Sequence, residues 1–222
     1  MKKIFILIAV TPIFLNCKTI KVNQEDKIFI KTEFENMRNI DQIYAGVPPK
    51  DLVEKYGKDE SWEIFYKKRD SVNLNNQSKA KTYFNKYGFI GTTNFDKRTS
   101  GNFWIIVQHA DNDIDFQKEV LKKMKREIRK NNAMKSQYAM LEDRVNVNLN
   151  KKQRFGSQVT YNENGQAIPI NGLIDSTNIE NIRKEYELPT FKQYYNEMTK
   201  MHFDMNKDHF IKKGMLQPKL YK

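Results

Sequence analysis

Apolar residues recur at three- and four-residue intervals over most of this chain, as in amphipathic helices. The first such set is Ile28, Phe34, Met37, Ile40 and Tyr44. It predicts a helix over residues 25–44, which the Gly-Val-Pro-Pro turn at residues 46–49 ends. A short helix is predicted over residues 50–56. A longer helical pattern begins at residue 61 and ends at Gly88, and the asparagine-rich segment at residues 73–76 is expected to interrupt it.

The most apolar run of the chain, residues 103–110, leads directly into Asp111, Asn112 and Asp113. Periodicity alone does not distinguish a buried helix from a strand here, but the strongly helical pattern that follows favours a helix. In that next helix, residues 114–128, one face is apolar, and the Asp111–Asp113 segment precedes it as N-caps do. Polar groups at the end of a buried run must find partners, so this corner is the first candidate for a site.

A change of pattern near residue 153 predicts a β-hairpin. Residues 153–161 alternate in steps of two, and Asn164-Gly165 separates them from a second short strand at residues 166–170. Helical patterns precede the hairpin at residues 137–147 and return at residues 178–186, and a capping box at residues 190–193 begins a last helix through Met201. The predicted fold class is therefore α+β, a mainly helical single domain with one β-hairpin.

The N-terminal sequence predicts a targeting signal. Two lysines precede an apolar run of 12 residues, Ile4 to Leu15, which is shorter than the ~20 residues that a membrane-spanning helix needs. The sequence Leu15-Asn16-Cys17 follows and resembles a bacterial lipoprotein signal. We therefore predict a signal peptide at residues 1–16, a lipidated tether at 17–27, the folded domain at 28–203 and a basic, polar tail at 204–222.

The formal net charge of +12 indicates an anionic neighbour. The expected partners are a membrane, through lipid on Cys17, and an anionic envelope polymer or small ligand. Nucleic acid is not expected, because the chain carries an export signal and its basic residues are scattered. Cys17 is the sole cysteine, so no intramolecular disulfide is expected. The predicted location is the bacterial cell envelope.

Several blocks of the sequence together resemble a bacterial family of unknown function, domain of unknown function 6624. The matching blocks lie between about residues 28 and 201. They include Asp41-Gln42, Tyr87-Gly88-Phe89, the run from Trp104 to Asp113, Phe116-Gln117, the run from Leu141 to Val145, the run from Gln153 to Gln158, Arg183 and Leu188-Pro189. The chain departs from the family pattern at Phe89-Ile90, where Trp-Pro is expected, and at Ser157, where Thr is usual. The resemblance implies no reaction and no catalytic residues.

The candidate catalytic residues are His109, Asp111 and Asp113. A histidine beside carboxylates can act as general base while a carboxylate fixes its tautomer. The alternative is structural, with the aspartates capping the next helix and His109 bonding a buried carbonyl group. These three residues also suit a divalent metal, but there is no second histidine at ligand spacing, so neither a metal nor a cofactor is predicted.

The candidate binding residues are Gln108, Asp143, Arg144, Gln153 and Gln158. An arginine can clamp an anion, although an Asp-Arg pair is more often a structural salt bridge. We expect Gln108, His109, Asp143, Arg144 and Gln158 to converge at one site.

Two functions follow, a binding or envelope-maintenance module and a hydrolase with His109 as general base. A serine or cysteine nucleophile is not expected, because no serine lies in a nucleophile-elbow motif and Cys17 is the predicted lipid site.

Overall fold

The computed structural model describes residues 22–222. The predicted signal peptide and residues 17–21 of the predicted tether, Cys17 among them, lie outside these residues. Within residues 22–222, no helix combines the length and the apolar character needed to cross a membrane. The fold is mainly helical with one two-stranded antiparallel hairpin, which confirms the predicted fold class.

The helical part of the fold consists of α1 (Gln24–Tyr44), α2 (Lys50–Tyr56), α3 (Lys58–Tyr87), α4 (Lys97–Gln108), α5 (Ile114–Ile128) and α6 (Lys135–Asn148). Helix α1 packs against α3 and α4, and α5 packs against α6. The C-terminal part consists of β1 (Val159–Tyr161), β2 (Ala167–Pro169), α7 (Ile179–Glu185), α8 (Phe191–Met205) and α9 (Lys207–Lys212).

The central apolar run forms α4, as expected, and it supplies the middle of the core. Phe103 is fully buried, and its ring meets the rings of Phe34, Phe84 and Phe89 at centroid distances of 5.6, 6.2 and 5.8 Å. Aromatic pairs at these distances add to the free energy gained from burying the apolar area. Helix α4 is therefore held from several sides, and its C-terminal end has a defined position.

Two details of the helices differ from the sequence prediction. The buried stripe of α1 is Ile30, Phe34, Met37 and Asp41, while Ile28 and Ile40 are exposed. Helix α3 continues without a break through residues 73–76. It does so because Asn76 is buried and its side-chain amide donates a hydrogen bond to the Met37 carbonyl of α1, so this polar residue stabilises the helix pair.

The hairpin is shorter than predicted, and its register pairs Val159 with Pro169 and Tyr161 with Ala167. Residues 153–158 form a loop. Gly156 has a φ of +64°, and a Cβ atom there would lie 3.0–3.1 Å from Leu173, Phe191 and Tyr195. Gly156 therefore allows the backbone of this loop to approach these side chains closely, where the sequence pattern had predicted a strand.

The predicted polar tail is folded against the hairpin. Helix α8 continues to Met205, and Phe210 of α9 is buried with its ring stacked on Phe203 at a centroid distance of 5.4 Å. The Tyr221 hydroxyl donates a 2.7 Å hydrogen bond to the Ala167 carbonyl of β2. Two aromatic residues, Phe210 and Tyr221, thus anchor this lysine-rich segment.

Candidate functional site

The candidate site begins with a hydrogen bond between the ends of two helices. His109 caps the C-terminus of α4, and its Nδ1 lies 2.6 Å from Oδ1 of Asp41, near the C-terminus of α1. The Asp41 side chain is only 2% exposed, whereas that of His109 is 29% exposed. A carboxylate accepts hydrogen bonds, so the imidazole nitrogen that donates here is Nδ1. Nε2 makes no hydrogen bond to any other residue of the segment 22–222.

Asp41 is held in place by a second donor. The side-chain amide of Gln42 donates a 2.9 Å hydrogen bond to Oδ2 of Asp41, so both carboxylate oxygens are engaged. The carboxylate therefore has a fixed orientation toward the imidazole. The sequence suggested Asp111 or Asp113 as the partner of His109, and the geometry gives that position to Asp41.

His109 and Asp41 line an open cleft of about 650 Å³. This volume falls in the range of sites that bind small molecules. The remaining lining residues come from α1, from one face of α3, from the turn after α4 and from α6: Ala45, Arg69, Asp70, Asn73, Leu74, Asp111, Asn112 and Arg144.

Asp111 and Arg144 form an ion pair that lines one wall of this cleft. Nε of Arg144 lies 2.7 Å from Oδ1 of Asp111, and Nη2 lies 2.5 Å from Oδ2. Asn148 and Gln117 also donate to Asp111 Oδ1. Burial alone would raise the pKa of Asp111, but the hydrogen bonds and charge of Arg144 hold that pKa below its usual value. The bidentate pair fixes the guanidinium plane at the edge of the cleft.

Asp113 points away from the cleft and has the structural role that the alternative interpretation gave it. Its Oδ1 accepts from the Phe116 amide as the N-cap of α5. Its Oδ2 accepts from Lys81 at 2.7 Å and from Gln77 at 3.1 Å, both on α3. The Lys81 hydrogen bond is the main cause that lowers the pKa of Asp113. The three candidate catalytic residues thus have three separate sets of partners.

Asp143, Gln153 and Gln158 form a second polar network, the hairpin-base network, at the foot of the hairpin. Asp143 is fully buried and accepts hydrogen bonds from the backbone amides of Arg154, Phe155 and Ser157. The Gln153 side chain donates to the Gln158 and Ile170 carbonyls and accepts from the Gln158 amide. Gln153 and Gln158 are absent from the lining of the cleft, so the expected meeting of His109 with Gln158 is not found.

The surroundings of Asp143 act on its pKa in opposite directions, and the net result is a pKa above the usual value for this carboxyl. Burial raises its pKa, and the three backbone amides oppose that shift. Gln108, the remaining predicted binding residue, is buried and also does not line the cleft. Of the predicted binding residues, Arg144 alone lines the cleft.

The comparison with protein families matches residues 31–203 to a family of unknown function, DUF6624. This match spans most of the chain. The chain belongs to the DUF6624 family. No curated protein and no solved structure matches it. The family assignment confirms the resemblance found in the sequence, and the family description names no activity.

The matched DUF6624 region contains the whole lining of the cleft and the hairpin-base network, while α9 and Tyr221 lie beyond it. Within residues 22–222 no group of three or more His, Cys, Asp or Glu side chains is arranged to hold a metal ion. The polar features of the DUF6624 domain are thus separated into an open cleft and a buried structural network.

Sequence reasoning missed Asp41, Arg69 and Asp70 as cleft residues. A signal for Asp41 was present, because it continues the buried stripe of Ile30, Phe34 and Met37 at helical spacing. A carboxylate on a buried helix face needs a partner, and that requirement marks it as a site candidate. Arg69 and Asp70 lie in a charged stretch of α3 and carry no comparable signal.

Proposed function

We propose that this protein is a hydrolase in which His109 acts as general base on water. The observation that carries the proposal is the pairing of His109 Nδ1 with buried Asp41 in an open cleft. In that arrangement the proton of the neutral imidazole is on Nδ1, and Nε2 keeps a lone pair that accepts no hydrogen bond from another residue of the segment 22–222. Such a nitrogen can accept a proton from a bound water molecule.

Water is the nucleophile that the lining residues favour. No serine, threonine, tyrosine or cysteine is found among the described residues that line the cleft. As the water oxygen attacks the electrophilic centre of the substrate, its proton passes to Nε2. That proton then passes from the imidazolium to the leaving group as the scissile bond breaks. Asp41 stabilises the positive charge that the imidazolium carries between the two transfers.

Arg144 is suited to stabilise the negative charge that develops on the substrate. Its Nε and Nη2 are engaged with Asp111, and Nη1 makes no hydrogen bond to another residue of the described segment. A guanidinium whose plane is already fixed loses little side-chain entropy when it binds an oxyanion. Arg144, held by Asp111, is therefore a preorganised hydrogen-bond donor at the wall of the cleft.

Replacing His109 with glutamine tests this proposal. We expect a panel of ester, amide, phosphoester and glycoside substrates to reveal one activity, and the H109Q variant to lower its rate by about 10²–10⁴-fold. The matched control is His209→Gln, because His209 is exposed on α9 and does not line the cleft. Equal rates of hydrolysis for wild type and H109Q on every substrate of the panel would contradict this role of His109. Ligand binding without turnover would then explain the cleft better.

We further propose that lipid on Cys17 anchors the protein to a membrane of the bacterial cell envelope, where its substrate would be an envelope polymer or a small molecule. The support is the sequence of residues 1–17, with its charged start, short apolar run and Leu-Asn-Cys end. The Cys17→Ser variant is expected to lose the lipid mass and to leave the membrane fraction. Mass spectrometry with membrane fractionation measures both. An unchanged membrane fraction would contradict the anchor, and Ser71→Ala, outside the signal, is the control.

A further inference from the structure

Arg69 is a cation of the cleft that the protein itself leaves available. It lies on α3, and its guanidinium stacks on the Tyr66 ring with the central carbon 4.5 Å from the ring centroid. Within residues 22–222 it makes no ion pair and no hydrogen bond to another side chain. Stacking orients the guanidinium plane while leaving its edge, where the N–H donors lie, free for a ligand.

The other charges of the cleft are largely matched within the protein. Asp41 is engaged by His109 and Gln42, and Asp111 by Arg144 and two side-chain amides. Arg69 and its neighbour Asp70 therefore remain as the unpaired charges among the described lining residues. The cleft offers one free guanidinium with one carboxylate beside it.

We propose that Arg69 binds a carboxylate group of the substrate, so that the substrate class is a carboxylate-bearing compound. Calling this ligand a substrate rests on the proposed function. The binding of a carboxylate by Arg69 does not depend on turnover. A guanidinium edge matches a planar carboxylate through two parallel hydrogen bonds. The adjacent Asp70 repels a dianion more strongly than a monoanion, which favours a carboxylate over a phosphate group.

The three histidines of the chain make a direct binding test possible. His109 lies in the cleft, whereas His202 packs on Tyr161 and His209 lies on α9. In NMR spectra of protein labelled at histidine, we expect N-acetylglycine at fixed ionic strength and pH to shift the His109 signal saturably. The uncharged N-acetylglycinamide should leave that signal in place, and inorganic phosphate should bind more weakly than N-acetylglycine.

Variants locate the binding group. Arg69→Gln is expected to weaken N-acetylglycine binding about ten- to a hundredfold, the loss expected for a hydrogen-bonded charge. Asp70→Asn is expected to strengthen it, and Arg129→Gln, on an exposed surface outside the cleft, should have no effect. Arg69 lies on the cleft face of α3 and is not buried, so circular dichroism of the R69Q variant should match wild type.

Each result decides the inference. Saturable binding that R69Q weakens about ten- to a hundredfold supports it. Equal binding by R69Q, tighter binding of phosphate, no saturable shift of His109, or equal shifts at all three histidines would overturn it. If wild type binds N-acetylglycine but hydrolyses nothing, the proposed hydrolysis fails and the carboxylate site stands. If uncharged substrates are hydrolysed as fast as carboxylates and R69Q has no effect, the carboxylate site fails alone.

Discussion

Replacing Asp143 with alanine is expected to lower the free energy of unfolding by about 3–5 kcal/mol. Asp143 is fully buried, and its two oxygens accept hydrogen bonds from three backbone amides at 2.8, 3.1 and 2.8 Å. Alanine leaves all three N–H groups without a partner, and each buried unsatisfied group costs about 1–3 kcal/mol. The sum is less than additive because water can enter the space that the carboxylate leaves.

The Asp143→Asn variant separates hydrogen bonding from side-chain volume. Asparagine keeps one oxygen, which can serve the two amides that now bond to Oδ1, but its NH₂ group faces the third amide. We therefore expect D143N to fall between wild type and D143A. Urea unfolding followed by circular dichroism measures all three, with Asp115→Ala as an exposed control expected to lie within about 0.5 kcal/mol of wild type. A D143A protein as stable as the control would contradict the structural role of the hairpin-base network.

Replacing Asp41 with asparagine is expected to lower the hydrolytic rate by about 10²–10⁴-fold while the fold is retained. The Gln42 amide donates to one oxygen of Asp41, so the oxygen of asparagine is expected to take that place. The asparagine NH₂ group then faces His109 and donates to Nδ1, which moves the imidazole proton to Nε2. A protonated Nε2 cannot accept a proton from water.

Rates with the substrate found in the panel measure the effect of D41N. Asp115→Asn is the matched control, because Asp115 is an exposed aspartate that forms an ion pair with the exposed Lys118, away from the cleft. The control should retain the wild-type rate. A D41N enzyme with the wild-type rate would show that the Asp41–His109 hydrogen bond has no role in catalysis.

The helical core follows from the sequence because it depends on local patterns. The spacing of apolar residues predicted α4 and α5, and the aspartates before α5 predicted a cap, which Asp113 provides. The register of α1 was wrong because Ile28 and Ile40 are as apolar as Ile30, and only packing against α3 and α4 decides which side is buried.

The candidate site was less predictable because its residues come from distant parts of the chain. Asp41 and His109 are 68 residues apart, and no local pattern links them. Adjacency in the sequence also led to a wrong expectation about the site. Asp143 and Arg144 are consecutive on α6, and consecutive helix residues project about 100° apart. Arg144 therefore points to the cleft, while Asp143 points to the hairpin-base network.

The proposed hydrolysis requires that the Asp41–His109 pair leaves Nε2 free to accept a proton. Long-range ¹H–¹⁵N correlation spectra of histidine-labelled protein, recorded at a pH where the imidazole is neutral, test it directly. We expect a proton on Nδ1 and an unprotonated Nε2 for His109 in wild type, and a proton on Nε2 in the Asp41→Asn variant. A wild-type His109 with its proton on Nε2 would rule out the proposed general base, because that nitrogen could not accept a proton from water.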